Sequence, residues 1–344
     1  MKSVLQGIAG LLLAVALLYW VFRDKDPNAL REAMRHVFWP ALALAAAINL
    51  GHVVFRVLRW RWLLDPVTPD VPLRPMFVAV ILGYMTTWLI PGRIGELVRP
   101  GLLSARSRVP LGPSLGSVVA DRLLDGAAIV GLFAAGSLAA RFAPDAAASI
   151  GEIRAAAWIS LAAIVAGLGI LVAITSRGAA VEGRLERLWA PFRWMGRAAI
   201  GLARGSEALR SARRLVPILA HSLLAWLTIA LGTWIGIRAA GAAVGFADVL
   251  VLLPLLALGV AVPTPGGVGG YHAAMQFGLT KLFGVDPTIA AGAGLLMHLA
   301  IVLPIFVLGP ALLYVERVSW SDLVSAARQI KTLGAAPASA EAAR

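Results

Sequence analysis

The sequence contains no cysteine, and this absence excludes disulfide bonds, thiolate nucleophiles and cysteine-ligated metals. Charged residues are also scarce, at 14% of the 344 residues, whereas 59% are hydrophobic and the mean hydropathy is +0.82. A soluble protein of this length cannot bury so much apolar sequence. The composition therefore predicts an all-α polytopic membrane protein.

Acidic residues are few beside the 31 lysines and arginines, so the formal net charge is +13. The arginines cluster between apolar runs, which is the positive-inside bias of membrane proteins rather than a nucleic-acid surface. No Gly-Lys-Ser/Thr follows the glycine-rich stretch near residue 266, and no His-x-x-x-His spacing occurs. We therefore expect no nucleic-acid partner, no nucleotide P-loop, no metal site and no cofactor.

Long apolar runs predict about six transmembrane helices, near 4–22, 38–55, 114–139, 155–175, 215–238 and 289–315. Two further apolar regions, 73–105 and 249–283, are each interrupted by a Pro-Gly break. Each half is too short to cross a bilayer easily, so we predict two re-entrant broken hairpins. The alternative for the first region is one ordinary helix at 73–90 followed by a basic loop.

The segment 177–214 sets the predicted orientation, because it holds nine arginines against three glutamates and so belongs in the cytoplasm. Six spans then place both termini and the basic stretches 56–72 and 99–113 inside, and the second hairpin enters from the outside. Within the segment, residues 181–214 alternate arginine with large apolar residues. This pattern predicts an amphipathic helix on an anionic lipid surface, or else a basic loop that only fixes topology.

The order of spans and breaks predicts an internal repeat. The break at 265 follows the break at 91 by 174 residues. We assign 1–140 to a first membrane repeat, 141–316 to a second and 317–344 to a cytoplasmic tail that is disordered from 333. Three crossings per repeat would make the copies face opposite ways, an arrangement common in secondary transporters.

Charges inside the apolar regions form the candidate site: Arg93, Glu96, Arg99, Asp121, Arg122 and Asp125. A charge at the middle of a bilayer costs about 2.5–3.5 kcal/mol on insertion scales, so such residues must pair or line a wet cavity. Asp121 and Asp125 are four residues apart and share one helical face. The cluster could bind a charged lipid headgroup, or it could only lock the hairpin to the helix.

The second break supplies further candidates, namely Gly266, Gly267, Gly269, Gly270 and His272. A glycine-rich break before a short helix exposes backbone N–H groups that suit a phosphate. Tight packing of the hairpin is the alternative role for these glycines. For the histidine we weigh a headgroup or proton role against a simple hydrogen bond to a neighbour.

Three stretches together resemble a known family: PGRIGELVRP at 91–100, VVADRLLD at 118–125 and PTPGGVGGYHAAM at 263–275. They are similar to the flippase-like integral membrane domain, the transmembrane part of lysylphosphatidylglycerol synthase/flippases and of stand-alone relatives. The resemblance covers about 4–316. It implies an inner-membrane translocase of phospholipids or of polyprenyl or otherwise modified lipids. The acidic residue that often follows the second break in the family is absent here.

Other functions stay open at this point. The chain could be a secondary transporter of a small soluble anion, a membrane enzyme acting on lipid phosphates, or a partner that positions a synthase. We expect a transporter rather than an enzyme, because no serine or cysteine nucleophile stands beside a base. Gly232 and Gly236 would permit close helix packing within one chain or between chains of a homo-oligomer.

Overall fold

The computed structural model describes residues 2–90, 94–176 and 207–333, and within these ranges it is helical without any β-strand. The helices are α1 (Lys2–Phe22), α2 (Pro27–Arg35), α3 (Trp39–Leu64), α4 (Leu73–Leu89), α5 (Gly95–Arg106), α6 (Leu111–Ala139), α7 (Pro144–Ser176), α8 (Ala212–Ala239), α9 (Phe246–Ala261), α10 (Gly270–Phe277), α11 (Pro287–Val315) and α12 (Trp320–Leu333). The predicted all-α class is confirmed.

Length and composition identify the helices that can cross a membrane. Across the described ranges four qualify: α3, residues 150–170 of α7, α8 and α11. Helices α1 and α2 bend by 84° at the break between them and add a fifth span if they count as one. A multi-pass membrane protein is therefore confirmed, whereas six crossings stay a prediction.

The first broken region folds as a hairpin of α4 and α5. Helix α4 ends before Pro91 because the residue preceding a proline disfavours the helical conformation, and Ile90 is extended. Helix α5 then packs back along α4, with Gly95 against Gly83 and Thr87. A Cβ on Gly95 would overlap the carbonyl oxygen of Gly83, so only glycine allows this approach.

The second broken region repeats this geometry with α9 and α10. Gly266, Gly267 and Gly269 have φ of 64°, 65° and 84°, which carry the chain through the break. Gly270 then packs against Gly259, and a Cβ on Gly270 would overlap the Gly259 carbonyl oxygen.

The tight glycine pairs of the two hairpins fall at corresponding positions in the sequence. Gly259 follows Gly83 by 176 residues, and Gly270 follows Gly95 by 175. These offsets agree with the spacing of the two breaks and support two copies of one unit. The internal repeat and the opposite orientation of its copies stay predictions.

Helices α3 and α8 form a closely packed antiparallel pair. At one end the Phe38 N–H donates to the Ala239 carbonyl oxygen at 3.0 Å, and at the other Arg214 Nε donates to Asp65 Oδ2 at 2.8 Å. The helices approach closely between these ends because Gly232 packs against Asn49 of α3. Gly236 likewise packs within this chain, against Ala45 of α3 and Met297 of α11.

The region predicted as the tail, 317–344, begins with an ordered element. Helix α12 packs on α5, where a Cβ on Gly101 would lie 2.5 Å from the Ala326 carbonyl oxygen. Residues 334–344 lie outside the described ranges, as does 177–206, most of the basic segment. The predicted surface helix and disordered end therefore stay predictions.

Candidate functional site

Two arginines of α3 belong to the candidate site. The predicted span ended at residue 55, but α3 continues to Leu64 because no proline or glycine interrupts the stretch FRVLRWRWLL. Arg56 and Arg59, three residues apart, therefore lie on one helical face. They are 4% and 0% exposed. The predicted end of the span at residue 55 is therefore too early, because Arg56 and Arg59 belong to the buried part of the same helix. The cytoplasmic placement of 56–72 stays a prediction.

Asp121 of α6 lies at the centre of three guanidinium groups. Its Oδ1 contacts Arg59 Nη2 at 2.5 Å, and its Oδ2 accepts from Arg99 Nη1 at 2.8 Å and from Arg122 Nη2 at 3.1 Å. The carboxylate has no exposed surface. These contacts tie α3, α5 and α6 together.

Asp125, one turn further along α6, collects the remaining contacts. Its Oδ2 accepts from Arg56 Nη1 at 2.7 Å and lies 3.4 Å from Arg122 Nη2, and its Oδ1 lies 2.9 Å from Arg59 Nη2. Trp226 Nε1 of α8 donates to the same Oδ1 at 3.0 Å. The predicted shared face of Asp121 and Asp125 agrees with this geometry, since Arg59 contacts both carboxylates.

Aromatic rings lie close to two of the guanidinium groups. Arg99 lies over Trp60 at 4.1 Å from the ring centroid, and Arg56 lies over Trp226 at 5.6 Å. Trp60 is itself fixed, because its Nε1 donates to Ser117 Oγ at 2.8 Å. Such cation–π contacts favour the charged arginines at a buried position.

The cluster carries an excess of positive charge. Among the described residues, Arg56, Arg59, Arg99 and Arg122 face two aspartates, with Glu96 further away at 3.9 Å from Arg122. Several guanidinium nitrogens also lack a hydrogen-bond partner within this part of the chain, among them Arg56 Nε and Arg122 Nε. Unused donors and net positive charge together suit an anion.

A cavity of about 380 Å³ opens beside this cluster. It is lined by residues of α3, α4, α6, α8, α9, α10 and α11, so both halves of the chain contribute walls. Arg56, Arg122 and Asp125 form its charged end, and the walls beyond them are mostly aliphatic, including Leu253 and Ile301. Its size lies in the range of small-molecule sites.

The sequence-predicted residues of the first half gather around this cluster. Arg122 and Asp125 line the cavity, whereas Asp121 and Arg99 lie behind them in the same ion network. Glu96 joins at the edge through Arg122. Arg93 lies outside the described residues.

The candidates of the second break lie elsewhere. Gly266 accepts a 2.8 Å hydrogen bond from His298 Nε2 at its carbonyl oxygen, and the Gly269 N–H donates to His272 Nδ1 at 3.3 Å. Gly269 packs on Ala14 of α1.

The contacts in the described ranges do not join these glycines or His272 to the arginine cluster. Gly267 packs against the Trp88 ring, as Gly270 packs against Gly259. These contacts agree with close packing, which was the alternative role, and a headgroup role for the glycines stays a prediction.

Sequence reasoning missed Arg56, Arg59, Trp226 and Tyr271 as site residues. A usable signal was present, because two buried aspartates on α6 require cationic partners and an unbroken helical stretch carries Arg56 and Arg59. In the described ranges, no three histidine, aspartate or glutamate side chains are placed to share a metal ion.

Comparison with known proteins adds the family. No curated protein matches the sequence. The model of the family described as the lysylphosphatidylglycerol synthase TM region matches residues 7–309, a stretch that contains both hairpins and the whole arginine cluster. This match indicates a lipid-related function in the membrane. The chain therefore belongs to the family of the lysylphosphatidylglycerol synthase transmembrane region.

Proposed function

We propose that this protein is a lipid translocase, a flippase or scramblase that moves a phosphate-bearing lipid between the leaflets of a bacterial inner membrane. The observation that supports this most is the cavity with an arginine-rich end and aliphatic walls drawn from both halves of the chain. In this proposal both termini face the cytoplasm.

A phosphate is the headgroup that fits the charged end. Arginine guanidinium groups bind phosphate oxygens through paired, charge-assisted hydrogen bonds. Arg56 and Arg122 both line the cavity and present their positive charge at its end. The anion would offset the excess positive charge of the cluster.

Arg122 is the guanidinium that a phosphate would engage first. Its side chain is 34% exposed, whereas that of Arg56 is 5% exposed. Its contacts to Asp125 and Glu96, at 3.4 and 3.9 Å, are the longest of the network among the described residues. A phosphate could replace them with little loss, while Arg59 and Arg99 keep Asp121 in place.

The walls favour a lipid over a small soluble anion. A soluble anion needs polar groups around its whole surface, because buried polar groups without partners are costly. Most of this cavity is instead apolar, as acyl or prenyl chains require. In the proposed cycle, the two halves rock about the site and open it to one leaflet at a time. No ATP-binding motif occurs in the sequence, so the protein would act as a scramblase or use an ion gradient.

Reconstitution into vesicles tests the proposal. Fluorescent phosphatidylglycerol in both leaflets is bleached from outside by dithionite, with and without a proton gradient. Wild type should expose the inner-leaflet lipid faster than protein-free vesicles do. R56Q/R122Q should lose at least about tenfold in rate, since each lost charge-assisted hydrogen bond is worth about 1.5–3 kcal/mol.

The matched control is R31Q/R35Q, which removes the same charge from the exposed helix α2. It should move lipid at the wild-type rate. The variant R56K/R122K keeps both positive charges. Its comparison with R56Q/R122Q separates the effect of lost charge from the effect of a lost fold. Wild-type rates no faster than those of protein-free vesicles under both conditions would overturn the proposal.

A further inference from the structure

The cavity has a second polar level, away from the arginines. Asn49 of α3 and Thr233 of α8 both line it, and each lies seven residues from a member of the charged end, Arg56 and Trp226 respectively. At a rise of 1.5 Å per residue this separation is about 10 Å. Because α3 and α8 are antiparallel, the step back from Arg56 to Asn49 along α3 and the step forward from Trp226 to Thr233 along α8 run in the same direction. Asn49 and Thr233 therefore lie at the same level, where Gly232, the neighbour of Thr233, packs against Asn49.

Two residues that line this cavity carry hydroxyl groups without a hydrogen-bond partner among the described residues. Thr233 is 1% exposed and Tyr271 of α10 is 2% exposed, and both line the cavity. Neither Thr233 Oγ1 nor Tyr271 Oη makes a hydrogen bond to any described residue. Both oxygens have almost no accessible surface in this structure, so each side chain must turn to present its hydroxyl to the cavity. Buried polar groups in proteins are nearly always hydrogen-bonded, so unpaired hydroxyls on residues of a cavity wall point to a ligand that completes them.

The chemistry of this level is neutral. Asn49 and Thr233 offer one carboxamide and one hydroxyl, and Tyr271 adds a second hydroxyl from another wall of the same cavity. The Asn49 Nδ2 donates to the Ala45 carbonyl oxygen at 3.0 Å. The carboxylate that lines the cavity in the described part of the chain, Asp125, is already held by arginines and by Trp226. An ammonium group at this level would lack a counter-charge, which is unfavourable in a buried site.

We propose that the lipid carries a neutral, hydroxyl-bearing headgroup beyond its phosphate, a polyol or a sugar. Its phosphate binds Arg56 and Arg122, and its hydroxyls hydrogen-bond Thr233 and Tyr271. The inference rests on the proposed function, because it assumes that a phospholipid enters this cavity. It also assigns selectivity between headgroups to two residues that have no part in the ion network.

Native mass spectrometry of the full-length protein in detergent tests the assignment. The probes share identical acyl chains: phosphatidylinositol for a polyol, phosphatidic acid for phosphate alone, phosphatidylethanolamine for an ammonium and phosphatidylcholine as reference. Wild type should retain phosphatidylinositol about tenfold over phosphatidic acid, as expected for two added hydrogen bonds. Soluble inositol phosphate should not displace the lipid, because it lacks the chains that fill the apolar walls.

Isosteric variants give the decisive comparison. T233V/Y271F removes only the two hydroxyls, so it should bind phosphatidylinositol and phosphatidic acid equally, with phosphatidic acid within about twofold of wild type. T233S keeps a hydroxyl and should retain the preference. The control T228V/Y314F removes one half-buried and one exposed hydroxyl, neither of which lines the cavity, and should also retain it.

Three results would overturn the inference: no preference of wild type for phosphatidylinositol over phosphatidic acid, an unchanged preference in T233V/Y271F, or tightest retention of phosphatidylethanolamine. Displacement by soluble inositol phosphate would make the ligand a free polyol phosphate and overturn the lipid assignment. The proposed function fails separately, if anionic lipids bind no better than phosphatidylcholine and R56Q/R122Q changes nothing.

Discussion

Arg56 of α3 and Asp125 of α6 form an ion pair at 2.7 Å, with side chains only 5% and 7% exposed. The pair joins residues 69 positions apart in the sequence. It also stands at the boundary between the ion network and the cavity, because both residues line the cavity. The same contacts therefore hold helices together and present charge to a ligand, and mutations should separate these two roles.

Replacing Asp121 by asparagine should destabilise the fold strongly. Its carboxylate is fully buried between Arg59, Arg99 and Arg122, and D121N removes the one negative charge that all three guanidiniums contact, so that Asp125 must balance both Arg59 and Arg122. Breaking a buried ion pair from one side costs about 3–5 kcal/mol. Thermal unfolding in detergent measures the change.

Asp65 provides the control for this prediction. It pairs with Arg214 at 2.8 Å, but both side chains are about one third exposed. D65N should therefore cost less than about 1 kcal/mol. Equal losses of melting temperature in D65N and D121N would contradict the structural role assigned to Asp121.

Arg99 and Arg122 should separate stability from transport. Arg99 is buried over Trp60 and does not line the cavity, whereas Arg122 is one third exposed and does line it. R99Q should lower the melting temperature, and R122Q should lower the rate of lipid movement with a smaller thermal shift. The two measurements are made on the same preparations, and the opposite assignment of effects would exclude Arg122 as the headgroup contact.

The sequence predicted local features well and distant pairings poorly. Apolar run length and Pro-Gly breaks are local signals. The helices at 73–89 and 246–261 begin close to the predicted starts of the hairpins, at 73 and 249, and end close to the predicted breaks, at 91 and 265. The predicted span excluded Arg56 and Arg59 because arginines at the end of an apolar run look like cytoplasmic flanks. Their burial follows only from the position of Asp121 and Asp125, which tertiary folding brings to them.

The candidate site shows the same limit. Charges on α5 and α6 were recognisable because charge inside an apolar region is expensive, and the structure collects Glu96, Arg99 and Arg122 around two aspartates. Trp226 and Tyr271 carry no such signal, since aromatic residues are common in membrane helices. The glycines of the second break gave a signal for an unusual backbone, which close packing explains as well as phosphate binding does.

Alanine at either close glycine contact should prevent its hairpin from closing. A Cβ on Gly95 would overlap the Gly83 carbonyl oxygen, and a Cβ on Gly270 would overlap that of Gly259. Overpacking typically costs about 1–3 kcal/mol, and backbone atoms on both sides leave little room for relaxation. G95A and G270A should therefore reduce the yield of monodisperse protein in size-exclusion chromatography. In contrast, G131A meets no atom within 4 Å and should be neutral or slightly stabilising, because alanine favours the helix.

The absence of cysteine makes the orientation of the two halves directly measurable. Pro69 lies in the loop between α3 and α4, and Ala243 lies in the corresponding loop between α8 and α9; both are exposed. The loops lie at opposite ends of the antiparallel α3–α8 pair. If the copies are inverted, a membrane-impermeant maleimide should label A243C in intact cells, and should label P69C only after the inner membrane is permeabilised. Labelling of both positions from one side would instead mean that α3 or α8 does not cross the bilayer, and two hairpins entering from opposite faces could not then meet at the cavity.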